Sequence, residues 1–358
     1  MAANALRDLR PQADLIDFTS NDYLGFARDE QLYQLADDWL ASKGVRQNGS
    51  GGSRLLSGNT NLHTAVEQEL SKWYASPAAL LFNSGYAANL ALMSAIPQRG
   101  DLVLYDESVH ASIREGLQLC LAKTVRFAHN DLEDLNKVYQ RNKQGTVYLV
   151  TESVYSMDGS YPDMQAMNAW VRSNQVRWIL DEAHATGVKG PHGKGLGHEL
   201  SVFARLMAFG KAMGCHGSVV LGSEELKDYL VNFGRSFIYT TSLPPHSLAA
   251  ISVAHTELGR TDKRAQLQQR VESFKTQVEE LGLTQWFLPS DSAIQSCIAP
   301  GNKRVKTIAR GMQEAGFDVR PILSPTVAEG SERLRFCIHA FNTEQEIKGV
   351  LTMLAQML

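Results

Sequence analysis

Apolar and polar positions divide the chain into a short lead-in, a long middle stretch and a shorter final one. From about residue 27 to 262, short continuous apolar runs alternate with segments of helical period. The runs are LVLYD (102–106), VYLVTES (147–153), RWILDEA (177–183), LMAFG (206–210) and GSVVLG (217–222), bounded by Gly, Asp or Ser. Continuous hydrophobicity is the pattern of strands buried on both faces of a mostly parallel sheet. HTAVEQELSKWYA (63–75) and DMQAMNAWVRSN (163–174) instead place apolar residues at helical spacing. Strand and helix in alternation predict a doubly wound α/β domain over 27–262.

After residue 262 the pattern changes. DKRAQLQQRVESFKTQVEELG predicts a charged amphipathic helix, and SAIQSCIA (292–299) and RLRFCIHA (333–340) predict strands. TEQEIKGVLTMLAQML predicts a closing helix, with Thr343 as N-cap and Glu346 three residues on to complete a capping box. Residues 263–358 therefore predict a smaller C-terminal α+β domain. Residues 1–26 form a lead-in that ends in DFTSNDYLGF, where Asn21, Asp22 and Gly25 predict a turn.

Composition narrows the class. A chain of 358 residues, 44% hydrophobic and 20% charged, has enough apolar material for two cored domains. A net charge of −3 offers nothing to a nucleic acid or an anionic membrane surface. No apolar run reaches the roughly 18 residues of a membrane span. The longest candidate, 78–96, is interrupted by Asn83, Ser84, Gly85 and Asn89. MAANALRDLRPQAD lacks the apolar centre of a signal peptide. Cys120, Cys215, Cys297 and Cys337 are scattered without metal-ligand spacing, which predicts free thiols in a reducing cytoplasm and no metal site.

Lys211 carries the strongest chemical signal. It is a single cation among small and apolar residues in LMAFGKAMGCHGSVVLG, a setting that lowers an amine pKa and suits a Schiff base. Upstream, RWILDEAHATG ends an apolar strand in Asp181, Glu182 and His184. A strand-end carboxylate followed by such a lysine suits a pyridoxal phosphate enzyme. Asp181 would keep the ring nitrogen protonated, His184 would bond the ring oxygen or its surroundings, and Lys211 would hold the aldehyde. Alone, Asp181 could equally cap the next turn.

Ser84 and Gly85, just before a predicted helix, would offer unpaired N–H groups to a phosphate, although many helices begin this way and bind nothing. The glycine cluster GSGGSRLLSGN (49–59) has neither the lysine of a P-loop nor the spacing of a dinucleotide fingerprint, and predicts an irregular loop. His110, at a predicted loop-to-helix junction, is a candidate to stack on the ring; a surface histidine is the alternative. Arg333 and Arg335 alternate on a strand and share a face. A guanidinium there could hold a substrate carboxylate, or could form an ordinary surface ion pair.

Taken in order, NDYLG (21–25), SGNTNLH (57–63), NSGYAAN (83–89), TESVYSMDG (151–159), DEAHATG (181–187), FGK (209–211), SLPP (242–245), SDSAIQ (290–295) and SPTV…RLR (324–335) resemble the α-oxoamine synthase family over nearly the whole chain. That family comprises fold-type I pyridoxal phosphate transferases that join an amino acid to an acyl thioester. The resemblance implies Lys211 as the Schiff-base lysine, Asp181 as the ring-nitrogen partner, His184 on the oxygen side and His110 stacked on the ring. It implies Ser84, Gly85, Tyr86 and Ser156 as further cofactor contacts. Thr240 and Thr241 would reach the phosphate of a neighbouring subunit, which implies a homodimer with shared sites. Asn21, His110, Thr326 and Arg335 fall where the family contacts substrate.

Two departures stand out. Ala208 replaces the family's usual Thr or Ser three residues before the lysine, so phosphate anchoring is expected to lean on the helix start and on Thr240 and Thr241. The lead-in before NDYLG is shorter than usual, which removes support for acyl-chain contacts from that region. The compact length, SDSAIQ and the SPTV…RLR ending favour the branch that condenses L-alanine with a pimeloyl thioester, as coenzyme A or carrier-protein ester. Branches that use glycine with an acetyl group, or serine with a long acyl chain, share every chemical residue and stay open. So does a non-catalytic subunit that keeps the fold, although Lys211, Asp181 and His184 together argue against it. A nicotinamide oxidoreductase would need a glycine fingerprint that the sequence lacks.

Overall fold

The computed structural model describes residues 14–358, so the sequence reading of the first thirteen residues lies outside it. The chain groups into two compact units. The larger comprises Phe26–Tyr155 and Tyr161–Thr261; the smaller gathers residues 14–25, Ser156–Ser160 and Asp262–Leu358.

The larger unit is built on a seven-stranded sheet. Its spatial order is Ala78–Phe82, Ser218–Gly222, Ala204–Ala208, Arg177–Asp181, Val147–Glu152, Leu102–Asp106 and Lys123–Phe127. Only Ser218–Gly222 runs antiparallel to its neighbours, so the sheet is mostly parallel, as the uninterrupted apolar runs predict. Alternate residues of each strand serve opposite faces. Val103, Val150, Ile179, Leu206 and Val220 pack under the helices Gly85–Ala95 and Ala111–Gln118. Leu104, Leu149, Trp178 and Leu180 pack against the helices Leu132–Asn142 and Met164–Asn174. Trp178 is fully buried, and its indole N–H donates to Thr151 Oγ1 at 2.8 Å, so its polar atom is not stranded.

Within this sheet the structure corrects the sequence reading at three strands. Ala78–Phe82 and Lys123–Phe127 were not expected. The run assigned to 206–210 is a strand at Ala204–Ala208, two residues earlier. Its Arg205 breaks the apolar pattern yet is buried, because its Nε donates to Glu182 Oε1 at 2.7 Å.

In the smaller unit, Arg333–Cys337 lies between Arg320–Ile322 and Ile294–Ile298 in an antiparallel sheet. Phe274, Phe287 and Phe336 form its aromatic core, with ring centroids 5.7–6.0 Å apart. The described part of the lead-in belongs here: Ile16–Asp17 pairs in parallel with Phe317–Asp318. The closing helix, Glu344–Ala355, carries the expected capping box: Thr343 N donates to Glu346 Oε2 at 2.7 Å and Glu346 N to Thr343 Oγ1 at 3.2 Å. Among the described residues no helix is long and apolar enough to cross a membrane. The four cysteines are free thiols.

Candidate active site

The sheet brings the candidates of the larger unit to one edge. Ser84, Gly85 and Tyr86 follow Ala78–Phe82; His110 follows Leu102–Asp106; Asp181 ends Arg177–Asp181; Lys211 follows Ala204–Ala208. All lie at the carboxyl ends of strands that run the same way. From Leu102–Asp106 the chain passes to Lys123–Phe127 on one side, then returns to Val147–Glu152 on the other. That reversal opens a crevice at the strand ends, where ligands bind in open α/β sheets.

Asp181 is buried and held from two sides. Oδ1 accepts from the Ala183 N–H at 2.8 Å, and Oδ2 accepts from Asn89 Nδ2 at 2.7 Å. It therefore does cap the following turn, but with one oxygen only. Asn89 Nδ2 also reaches Ser112 Oγ at 3.0 Å, and Ser112 Oγ lies 2.7 Å from His110 Nδ1. The His110 backbone N–H donates to Glu152 Oε1 at 2.5 Å. Asn89, Ser112 and Glu152 were absent from the candidates drawn from sequence. Asn89 and Glu152 sit inside the motifs NSGYAAN and TESVYSMDG, but nothing in the residue types marks them as partners.

Glu152 and Asp181 are register partners on adjacent parallel strands, so two carboxyls end side by side. Burial, then the Asp181 charge, push the Glu152 carboxyl well above its ordinary range, against the pull of Lys211. Of the two neighbouring carboxyls, Glu152 is therefore the one whose charged form is disfavoured. A raised folded pKa favours folding below the unfolded carboxylate value. That contribution is lost as pH climbs from there to the folded value, by up to about 1.4 kcal/mol per pH unit for one proton. Cofactor-free Glu152→Gln protein is expected to lack this decline in urea denaturation across that window; parallel pH curves for the two proteins would refute the assignment.

Lys211 sits in a tight turn between two antiparallel strands. Gly214 N–H donates to Lys211 O at 2.9 Å and Cys215 N–H to Phe209 O at 3.0 Å. Gly214 has φ +62°, and a Cβ there would lie 2.3 Å from the Ala27 nitrogen, so only glycine fits. Phe209, Ala212 and Met213 around the lysine are buried. His184, also buried, lies in the turn after Asp181, where Ala185 N–H donates to Glu182 O.

Ser84 is the N-cap of Gly85–Ala95, its Oγ accepting from Ala87 N–H at 3.2 Å. The first N–H groups of that helix thus face the strand ends without a helical partner. A Cβ at Gly85 would come within 3.3 Å of Ala208 Cβ, so the helix start rests directly on the residue that departs from the family pattern. Tyr86 bonds Glu115 through its hydroxyl and stands edge-on to His110.

Thr240 and Thr241 are anchored to the same edge by Asn83, whose Nδ2 donates to Thr240 Oγ1 at 3.2 Å and to Thr241 O at 2.6 Å. The next residue, Ser242, ties down the glycine-rich loop: its N–H donates to Gly52 O at 2.9 Å. His63 Nδ1 accepts from Thr60 N–H at 3.2 Å, which leaves Nε2–H to donate to Ser242 Oγ at 2.7 Å. Burial, with the nearby Arg54 charge, lowers the His63 pKa to about 4. His63 is a neutral strut, and no residue-type signal distinguished it beforehand.

The smaller unit holds its own polar cluster. Arg335 donates through Nη1 to Ser156 O at 3.0 Å and through Nη2 to Asn21 Oδ1 at 2.7 Å. Tyr23 Oη donates to the same Asn21 oxygen at 3.2 Å, and Cys337 Sγ lies 3.2 Å from Arg335 Nη2. The structure therefore brings Asn21, Ser156 and Arg335 together. Arg333 is occupied with Ser331 O and Met157 O. Thr326 is exposed, in a turn closed by its N–H to Leu323 O.

The chain is similar to known proteins over nearly its whole length. The model of the family Aminotransferase class I and II matches residues 13–354. The chain is 36% identical to 8-amino-7-oxononanoate synthase of Emericella nidulans, over 96% of this chain and 89% of the relative. Serine palmitoyltransferase from S. paucimobilis, solved with a bound PLP–myriocin aldimine, superposes with a TM-score of 0.88 at 28% identity, covering 96% of this chain and 87% of that one. The crystal structure of 8-amino-7-oxononanoate synthase from Francisella tularensis gives a TM-score of 0.79 at 29% identity, with 96% and 97% covered. With a match that spans both compact units, the chain belongs to the aminotransferase class I and II family of pyridoxal phosphate-dependent enzymes.

Proposed function

We propose that the chain condenses L-alanine with a pimeloyl thioester, as coenzyme A or carrier-protein ester, to give 8-amino-7-oxononanoate, the free thiol and carbon dioxide, a step of biotin synthesis. The observation that carries the reading is a buried carboxylate, Asp181, fixed at the same strand-end edge as Lys211, in a chain 36% identical to enzymes with that name.

The residues suit pyridoxal phosphate. Asp181 accepts through both oxygens and is aimed by these two fixed hydrogen bonds, which suits a cationic ring nitrogen. The Gly85 helix start, closed beneath by Ala208, suits a phosphate. When bound, the cofactor supplies an electron-accepting ring that eases loss of a proton or carbon dioxide from an amino acid's α carbon. Lys211 would hold its aldehyde and, once displaced, remove and return the α proton. His110 would cover the ring and meet substrate, His184 would bond its oxygen side, and Ser156 would be a further cofactor contact. Arg335 would hold the substrate carboxylate, its guanidinium oriented by Asn21 and Ser156, and Asn21 and Thr326 would be further substrate contacts.

A homodimer with shared sites fits the surface around Thr240 and Thr241. Tyr239, next to Thr240 in the chain, is 76% exposed, and Leu56, in the glycine-rich loop that Ser242 ties down, is 85% exposed. The free thiols fit a cytoplasmic enzyme.

The overlay on serine palmitoyltransferase favours a second reading, serine with a long acyl chain. Thiol release by the cofactor-loaded protein separates the two. L-alanine with pimeloyl-coenzyme A is expected to outrun glycine with acetyl-coenzyme A and L-serine with palmitoyl-coenzyme A. Preference for either of the other pairs would overturn the assignment.

A further inference from the structure

Asp181, Asn89, Ser112 and His110 form one directed hydrogen-bond chain. Its direction is set at the Asp181 end. Both oxygens accept there, Oδ1 from the Ala183 N–H and Oδ2 from the Asn89 NH2 group, 2.7 Å away. The same nitrogen donates to Ser112 Oγ at 3.0 Å. Asn89 and Ser112 are 2% and 0% exposed, so no solvent competes at these two links, whereas His110 at the end of the chain keeps an exposed surface.

The Ser112 hydroxyl, having accepted from Asn89, has its proton left for His110 Nδ1 at 2.7 Å. If Nδ1 carried a proton of its own, that hydroxyl hydrogen would be buried without an acceptor, which folded proteins rarely tolerate. The Ser112 backbone N–H also points at Nδ1, at 3.2 Å, as part of the helix N-cap.

We infer that Asn89 and Ser112 are positioning residues: they hold the His110 imidazole as the neutral tautomer with its proton on Nε2, and tie that choice to the Asp181 carboxylate. The fold is shaped for this contact. A Cβ at Gly116 would lie 2.7 Å from Met93 Cβ and 3.2 Å from Asn89 O, so only glycine lets the helices Gly85–Ala95 and Ala111–Gln118 come this close. Glu152 fixes the backbone end of the same histidine through its N–H. His110 thus offers an N–H donor at its outer edge, while its inner edge is committed to Ser112.

The charged and titratable groups around the ring are Asp181, Lys211, Glu152 and Tyr86. His110 keeps an exposed surface, yet partial withdrawal of its ring from water lowers its pKa; Asp181 opposes this and Lys211 adds to it. The tautomer stands independently of the proposed function; only its use in catalysis rests on that reading.

Imidazole 15N–1H correlation spectra of the cofactor-free protein, with His110 assigned by comparison with His110→Gln, test the relay. The wild type is expected to show Nδ1 unprotonated and Nε2 protonated at neutral pH. Ser112→Ala is expected to mix the tautomers and raise the His110 pKa, Asn89→Ala to move both the same way, and Ser112→Thr to restore them. In loaded enzyme the acid limb of kcat should move up with the pKa in Ser112→Ala. A protonated Nδ1 in the wild type, or an unchanged tautomer and pKa in Ser112→Ala, would overturn the relay. Protein that shows the expected tautomer but takes up no cofactor at Lys211 would instead sink the proposed function and leave the relay standing.

Discussion

Protein carrying Lys211→Ala is expected to fold, to show no visible absorbance of lysine-linked cofactor, and to lose turnover. A positioned proton carrier alone contributes about 10²–10⁴-fold. The loss should exceed that range, because the same amine also anchors the cofactor. Folding should survive for a local reason. The turn is closed by main-chain bonds, from Gly214 N–H to Lys211 O and from Cys215 N–H to Phe209 O, which alanine keeps. The apolar packing of Phe209, Ala212 and Met213 is also untouched. Circular dichroism with absorbance and thiol-release assays checks all three points. A folded variant with normal turnover would remove Lys211 from the mechanism.

Asp181→Asn is expected to lower kcat by about 10³-fold. Opposite charges about 4 Å apart at an effective dielectric near 20 are worth about 4 kcal/mol before desolvation costs. At about 1.4 kcal/mol per tenfold in rate, that is three orders of magnitude. A smaller stability cost accompanies it. The substituted amide can accept from Asn89 or from the Ala183 N–H but not from both as the carboxylate does, which strands one buried donor at about 1–3 kcal/mol. Equilibrium denaturation and steady-state kinetics separate the two effects. Wild-type kcat in a folded Asp181→Asn protein would refute the ring-nitrogen assignment.

Strands buried on both faces were legible because hydrophobicity alone identifies them. Leu102–Asp106 and Val147–Glu152 are read almost to the residue. Lys123–Phe127 escaped because it is the sheet's edge, where Lys123, Thr124 and Arg126 face water and erase the apolar run. Ala78–Phe82 escaped for the opposite reason: its apolar residues merge with those of the helix Gly85–Ala95 into one stretch, divided only by Asn83 and Ser84. Arg205 displaced a strand boundary because its burial depends on Glu182, a partner that a hydrophobic pattern cannot register. The placement of the lead-in depends on two residues pairing with a segment some 300 positions away, beyond any local signal.

The site divides along the same line. Lys211 and Asp181 stand out as charges set in apolar surroundings. Asn89, Ser112, Glu152 and His63 do not, because their significance arises only when separate elements meet. Asn89 matters through residues 23 and 92 positions away, Ser112 and Asp181. Sequence names the groups that carry charge; the tertiary fold decides which polar neighbours aim them.

The most direct test of the central claim is covalent trapping. Wild-type protein loaded with pyridoxal phosphate, reduced with borohydride, digested and analysed by mass spectrometry is predicted to carry the reduced cofactor on the peptide containing Lys211 and on no other lysine. Cofactor mass on a different lysine, or none on any peptide from protein that has bound the cofactor, would contradict the account.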